Sequence, residues 1–458
     1  MKPAACLIAL CLLAGCTKRG PYRTSVPVSK HDTRIIEDHG TFKLGFIEFG
    51  DDGKRLPLKK AIRGAQPAPN NRPDRDVQLN LVLAELYKAR GLNPATVAVV
   101  PGKTVGGLTI IFAHGWKNNA QSIEGRTKDV EKFRAFLADV AVEVKPAPDK
   151  APIPVTGVYL GWHGRSVNIN SGFLNWWSLW PRYFAAGRVG SQEMQTTIAR
   201  VIQAGVAGRG TLKEDKRPRV ILIGHSLGAR VLENALQQVH DTQLDGEDSA
   251  NDRKLGLILG QCKNLKDGNP VKSVVDLTLL VNEAAKSRQV RAATKACHLD
   301  VTADVKVRHP AWTKMSCPAG SNALRCQPYP LFVHITTTAD WATRFLAPVA
   351  LLGRTAPHTS RLWTHRVNKV SAQSTLVPDY VFKFQTQEEP ARTYAVTRVH
   401  PNQAKNPVWV MRVDNHVMKS HGDIWNESFQ NMIKGLMGGL DVVDLRNFSR
   451  ENREQKKR

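Results

Sequence analysis

Arg219 to Val239 constrains this chain more than any other stretch of its 458 residues. Arg219 to Ile223 is a short apolar run, and Leu227 to Val239 carries Leu232, Ala235 and Leu236 at helical spacing. Gly224-His225-Ser226-Leu227-Gly228 joins the two. Gly-x-Ser-x-Gly alone is a weak signal, because three fixed positions recur by chance. A strand before it and a helix after it give the context of a nucleophile elbow, a strained turn that exposes a serine. Glycines two positions either side let the backbone pass close to itself. Ser226 then sits at a helix N-terminus, where backbone amides, that of Leu227 among them, can bind a developing oxyanion.

The flanking sequence repeats this strand–helix rhythm. Strands are expected at Lys43 to Phe49, Leu108 to Ala113, Val155 to Leu160, Arg219 to Ile223, Val274 to Val281, Leu331 to Thr336 and Val408 to Val413. Helices are expected at Val77 to Arg90, Arg126 to Val144, Ser191 to Ala207, Leu227 to Val239 and Ile424 to Leu436. In Arg126 to Val144, residues Val130, Phe133, Phe136, Leu137 and Val140 fall on one face. Such alternation implies an α/β protein with a mostly parallel sheet covered on both faces. The unbroken apolar runs Ile221-Leu222-Ile223 and Leu279-Leu280-Val281 fit strands buried on both sides. Two stretches, about 284–330 and 346–404, interrupt the rhythm and read as insertions or cap elements over the sheet. The second contains strand-like Tyr380 to Phe384 and Tyr394 to Val399.

The chain resembles the α/β-hydrolase family, and more narrowly a bacterial esterase and lipase branch. The likeness covers about Leu108 to Leu436. It rests on Phe112-Ala113-His114-Gly115-Trp116, Gly161-Trp162-His163-Gly164, the elbow, Ala339-Asp340-Trp341 and His421-Gly422-Asp423-Ile424-Trp425. The resemblance implies an α/β-hydrolase domain over 35–448 and a Ser-His-acid triad. Asp340, at the end of Leu331 to Thr338, is then the acid, with Glu283 as the rival one strand earlier. His421, just ahead of the closing helix, is the base in preference to His416. The amide of Gly115 or Trp116 would join that of Leu227 in the oxyanion hole. The order Ser226, Asp340, His421 is the one expected for this fold. No metal or other cofactor is implied.

The N-terminus is not part of this fold. Lys2 is followed by an apolar run, Ala4 to Leu13, too short to span a bilayer. Leu13-Ala14-Gly15-Cys16 resembles the lipobox of a bacterial lipoprotein. That resemblance implies a signal peptide over 1–15, a lipid on Cys16, and residence in the cell envelope at the periplasmic face of the outer membrane. Residues 16–34 are polar and basic and read as a flexible tether. Residues 449–458 form a charged tail. Beyond Cys16 four cysteines remain, Cys262, Cys297, Cys317 and Cys326. An even number in an exported chain suggests disulfides. Cys317–Cys326, closing a short loop, and Cys262–Cys297 are the favoured pairs, with four free thiols as the alternative.

The net charge of +25 speaks of solubility or of an anionic partner, and for an envelope lipoprotein phospholipid is the natural candidate. No zinc-finger spacing or RNA-binding aromatic signature supports nucleic acid. Phe173, Leu174, Trp176, Trp177, Leu179, Trp180, Tyr183 and Phe184 could line an acyl pocket or pack as a core helix. The expected function is hydrolysis of small-molecule or lipid carboxylic esters. An amidase or thioesterase with the same triad, and a non-catalytic binding lipoprotein on this fold, stay as alternatives.

Overall fold

The computed structural model describes residues 20–24, 33–58, 75–96, 98, 106–116, 118–120, 128–144, 153–163, 179–207, 217–238, 272–273, 275–283, 325–326, 332–343, 362–370, 380–385, 392–399, 408–439, 443 and 445. In chain order the elements are β1 (Ile36–Asp38), β2 (Phe42–Phe49), α1 (Val77–Ala89), β3 (Leu108–Ala113), α2 (Lys128–Glu143), β4 (Val155–Trp162), α3 (Leu179–Val189), α4 (Gln192–Val206), β5 (Arg219–His225) and α5 (Leu227–Gln238). They continue with β6 (Lys272–Ser273), β7 (Leu277–Val281), β8 (Arg325–Cys326), β9 (Phe332–Thr337), β10 (His365–Lys369), β11 (Tyr380–Gln385), β12 (Thr393–Arg398), β13 (Val408–Val413) and α6 (Glu427–Gly439).

An 11-stranded sheet runs β1-β2-β4-β3-β5-β7-β9-β13-β10-β12-β11. From β2 to β10 neighbouring strands are parallel; β1 at one end and β12 and β11 at the other are antiparallel. β3, β4, β7 and β9 are buried at every position, as strands covered on two faces must be. One face packs against α2 and α6 through Phe112, Phe133, Phe136, Leu137, Phe429 and Met432. The other packs against α1, α4 and α5 through Ile111, Val158, Leu222, Leu83, Ile198 and Leu232. Each large apolar side chain so buried contributes roughly 1.5–3 kcal/mol. The chain leaves β3 for β4 on one side and later returns to β5 on the other, so the crevice beyond the C-terminal ends of these strands is the switch point of the sheet.

Two expectations change among the described residues. The described strands of the stretch 346–404 lie in the sheet rather than over it, β10 pairing with β13 and β12 and β11 following. β10 alternates buried and exposed residues, so it lacks the continuous apolar run that marks the inner strands. Residues 20–24, read as tether, are docked on the body. Arg23 is fully buried, its Nε donating to the Ala120 carbonyl at 2.7 Å and its guanidinium pairing with Glu37 at 2.8 Å over the Phe46 ring. The Glu48 carboxylate accepts from the amides of Tyr22 and Arg23. A composition that looks like a linker thus hides an arginine with two buried carboxylates waiting for it. Of the cysteines singled out, Cys326 lies on β8, paired with Lys272 of β6, a two-stranded ladder apart from the main sheet. Cys16, Cys262, Cys297 and Cys317 lie outside the described residues, as do 1–15, the tail 449–458 and 284–324 of the first insertion.

Candidate active site

β5 ends at His225, and Ser226 turns the chain into α5 with φ of 57°, a left-handed conformation unusual for a residue with a side chain. The Ser226 amide donates to the Val281 carbonyl of β7, which fixes the turn against the next strand. The flanking glycines are sterically required. A Cβ on Gly224 would lie 2.6 Å from Ala229 Cα, and one on Gly228 would lie 2.2 Å from the Ala113 carbonyl oxygen. α5 therefore starts hard against the end of β3, with Leu227 buried as its first residue. Its first amides have no partner within the helix.

The segment after β3 comes to the same point. A Cβ on Gly115 would stand 2.9 Å from Ser226 Cβ, so only a glycine permits this approach. His114 braces the segment from behind. Its Nε2 accepts from the Trp162 amide at 3.0 Å, which leaves Nδ1–H to donate to the Gly115 carbonyl. The Trp162 indole donates to the His114 carbonyl and stacks on its ring. Burial holds His114 down to about 4, so it is neutral at neutral pH. Trp116 packs partly buried against the α5 side of the core.

His421 and Asp340 complete the group. Ser226 Oγ lies 2.7 Å from His421 Nε2, and His421 Nδ1 lies 2.9 Å from each Asp340 oxygen. Asp340 is fully buried. Burial alone would raise its carboxyl; the charge of His421, the His421 hydrogen bond and the hydrogen bonds from Thr343 outweigh that and hold it below the ordinary range. Glu283 is elsewhere. Its carboxyl faces His334 Nδ1 at 2.7 Å, and burial pushes it up to about 7. His416 is exposed, with its ring against Arg392.

The comparisons with known proteins are sparse. No protein-family model and no curated protein matches the chain. Among solved structures it is similar to the phospholipase PlaB from Legionella pneumophila, at 11% identity and a TM-score of 0.26, over 76% of this chain and 63% of that one. It is also similar to the same phospholipase in complex with thio-NAD, at 13% identity and a TM-score of 0.26, over 76% and 64%. The chain thus spans less than two thirds of the length of the chains it matches.

Sequence reasoning missed the residues that hold His421 in place. The His421 carbonyl accepts from His225 Nε2 at 2.8 Å and from Asn282 Nδ2 at 2.9 Å. His225 is kept neutral, at about 3, by burial and then by the neighbouring His421. Asn282 has φ of 47°, and its amide donates to the Ile335 carbonyl. An Asn at a strand end, a residue type that after glycine tolerates this conformation well, was the available signal. Thr343 was legible too: its amide and hydroxyl both donate to Asp340 three residues before it, a local capping pattern. Trp425 ties the His421 segment to α2, its indole donating to Asp129 at 3.1 Å. Of the aromatic cluster, Tyr183 is buried under the Arg230 guanidinium and Phe184 is exposed; 172–178 lie outside the described residues.

Proposed function

We propose that this chain is a serine hydrolase of the α/β-hydrolase fold. It cleaves carboxylic esters, lipid esters among them, and is held in the bacterial envelope by a lipid on Cys16. The observation that carries the reading is the continuous line from Ser226 Oγ through His421 to Asp340, at 2.7 and 2.9 Å, on a serine held at a helix N-terminus. The parallel sheet flanked by helices, with that serine at its switch point, supports the fold assignment.

The steps follow from these positions. Ser226 Oγ attacks the acyl carbon while its proton passes to His421 Nε2. The carbonyl oxygen becomes an oxyanion and is met by the Leu227 amide and that of Gly115 or Trp116, each such donor lowering the barrier by roughly 3–4 kcal/mol. Asp340, ionised, keeps Nδ1–H facing it and stabilises the imidazolium. Collapse breaks the bond to the leaving alcohol, which takes the proton from His421. Water then attacks the acyl-enzyme with His421 as base and frees Ser226.

The test is turnover of a p-nitrophenyl ester series of rising acyl length. The wild-type chain is expected to hydrolyse at least part of the series. Ser226→Ala and Asp340→Asn are expected to lose about a thousandfold or more in kcat. A folded wild type inert to every ester, or a Ser226→Ala variant of undiminished rate, would overturn the reading.

A further inference from the structure

The docked N-terminal segment fixes which side of the molecule an anchor can hold. Gly20 to Arg23 lies at the C-terminal end of β2, where Glu48 takes the Tyr22 and Arg23 amides and the Tyr22 ring meets His163 edge-on at 5.9 Å. His163 directly follows β4, and Glu48 is level with Gly161 of β4. Ser226, Gly115 and Asp340 follow β5, β3 and β9 at the same edge of the sheet. β2 and β5 are three positions apart in the sheet, about 14 Å.

Three residues separate Cys16 from Gly20, four chain steps with a reach of at most about 14 Å. The sheet is taller than that: β4 has 8 residues, and so spans roughly 26 Å. A lipid on Cys16 therefore cannot sit in a bilayer that meets the opposite edge. The exposed aromatics mark the same edge. Trp341, 52% exposed, follows Asp340, and Phe184, 59% exposed, is on α3. The same helix carries Arg182, which binds Asp51 and the His163 carbonyl just past the ends of β2 and β4. Val142, 55% exposed, lies at the other edge. α2 runs back along β4, with Leu137 against Gly157 near the start of that strand, and Val142 lies beyond.

We propose that the C-terminal edge of the sheet is a membrane-facing surface, on which the Cys16 anchor, Phe184 and Trp341 hold the edge that carries Ser226 against an anionic phospholipid bilayer. This rests on the lipid anchor of the proposed function. The net charge of +25 supplies attraction to the anionic surface, and the aromatic rings suit the interface.

The test uses the full chain, matured in a bacterial host and placed in phosphatidylglycerol–phosphatidylethanolamine vesicles. Trp341→Cys, Phe184→Cys and Val142→Cys are each labelled with an environment-sensitive fluorophore. The wild type, carried through the same labelling, gives the background of its own cysteines. On vesicles, a blue shift and a several-fold rise in emission are expected at positions 341 and 184, with neither at 142. A response at 142, or none at 341 and 184, would overturn the proposal. The intact mass of the N-terminal peptide separates this from failure of the anchor itself: an unacylated Cys16 removes the anchor reading, whereas an acylated chain with the wrong response removes only the orientation.

Discussion

Ser226 and Asn282 both hold a left-handed backbone, at φ 57° and 47°, and both face His421. Such conformations cost on the order of 1 kcal/mol or more and persist only where the surroundings enforce them. Here the enforcement is visible: each amide is spent on a carbonyl of the next strand, Val281 for Ser226 and Ile335 for Asn282. The second acid of this region has a different part. Glu283 is buried against His334 and beside Glu233, and burial raises both carboxyls, Glu283 to about 7 and Glu233 well above its ordinary value. Between about pH 4.5 and 7 the folded chain holds the Glu283 proton that the unfolded chain has released, so this group's stabilisation falls as pH rises. Glu283→Gln removes that loss and also relieves Glu233 of a like charge. Urea unfolding at pH 5 and pH 8 is expected to show the variant gaining on wild type at the higher pH. Parallel behaviour at both pH values would mean that Glu283 is ionised in the fold.

The elements that carry the site were the ones most legible in the sequence, for a physical reason. β3, β5 and β7 are inner strands of a parallel sheet, and burial on two faces writes itself as unbroken apolar runs. α2 and α5 bury one stripe each, which appears as helical spacing. β11 and β12 were legible as strand-like stretches, whereas β10 escaped that reading because the interleaved polar residues of His365–Lys369 leave no such run. The contacts of Glu283 were illegible because His334 and Glu233 reach it only through the folded sheet. At the elbow, two glycines can be set against each other. Gly228→Ala would drive a Cβ to 2.2 Å and 2.4 Å from the carbonyl oxygens of Ala113 and His114, both backbone. A Cβ on Gly422, beside His421, meets nothing within 4 Å. Thermal unfolding is expected to show Gly228→Ala destabilised by about 2–4 kcal/mol or unable to fold, and Gly422→Ala within about 0.5 kcal/mol of wild type. Equal effects would contradict the tight start of α5.

At the scale of the whole molecule, the N-terminal segment belongs to the body as far as residues 20–24. Arg23 supplies the charge for Glu37, shared with Arg134 at 2.6 Å, while its main chain satisfies Glu48. Removing one partner from a buried ion pair leaves the other uncompensated, a cost of about 3–5 kcal/mol. Arg23→Ala is expected to lower the unfolding free energy measured in urea by an amount in that range, moderated by Arg134. A change below about 0.5 kcal/mol would mean that the segment is not docked, and would also lengthen the reach of any anchor at Cys16. The central claim nevertheless lies at Ser226. Its most direct measurement is covalent labelling of the folded chain with a fluorophosphonate probe, followed by mass spectrometry of the modified peptide. The expected result is stoichiometric modification of Ser226 in the wild type, lost in both Ser226→Ala and His421→Ala. A folded wild type that takes no probe, or takes it at another residue, would contradict the account.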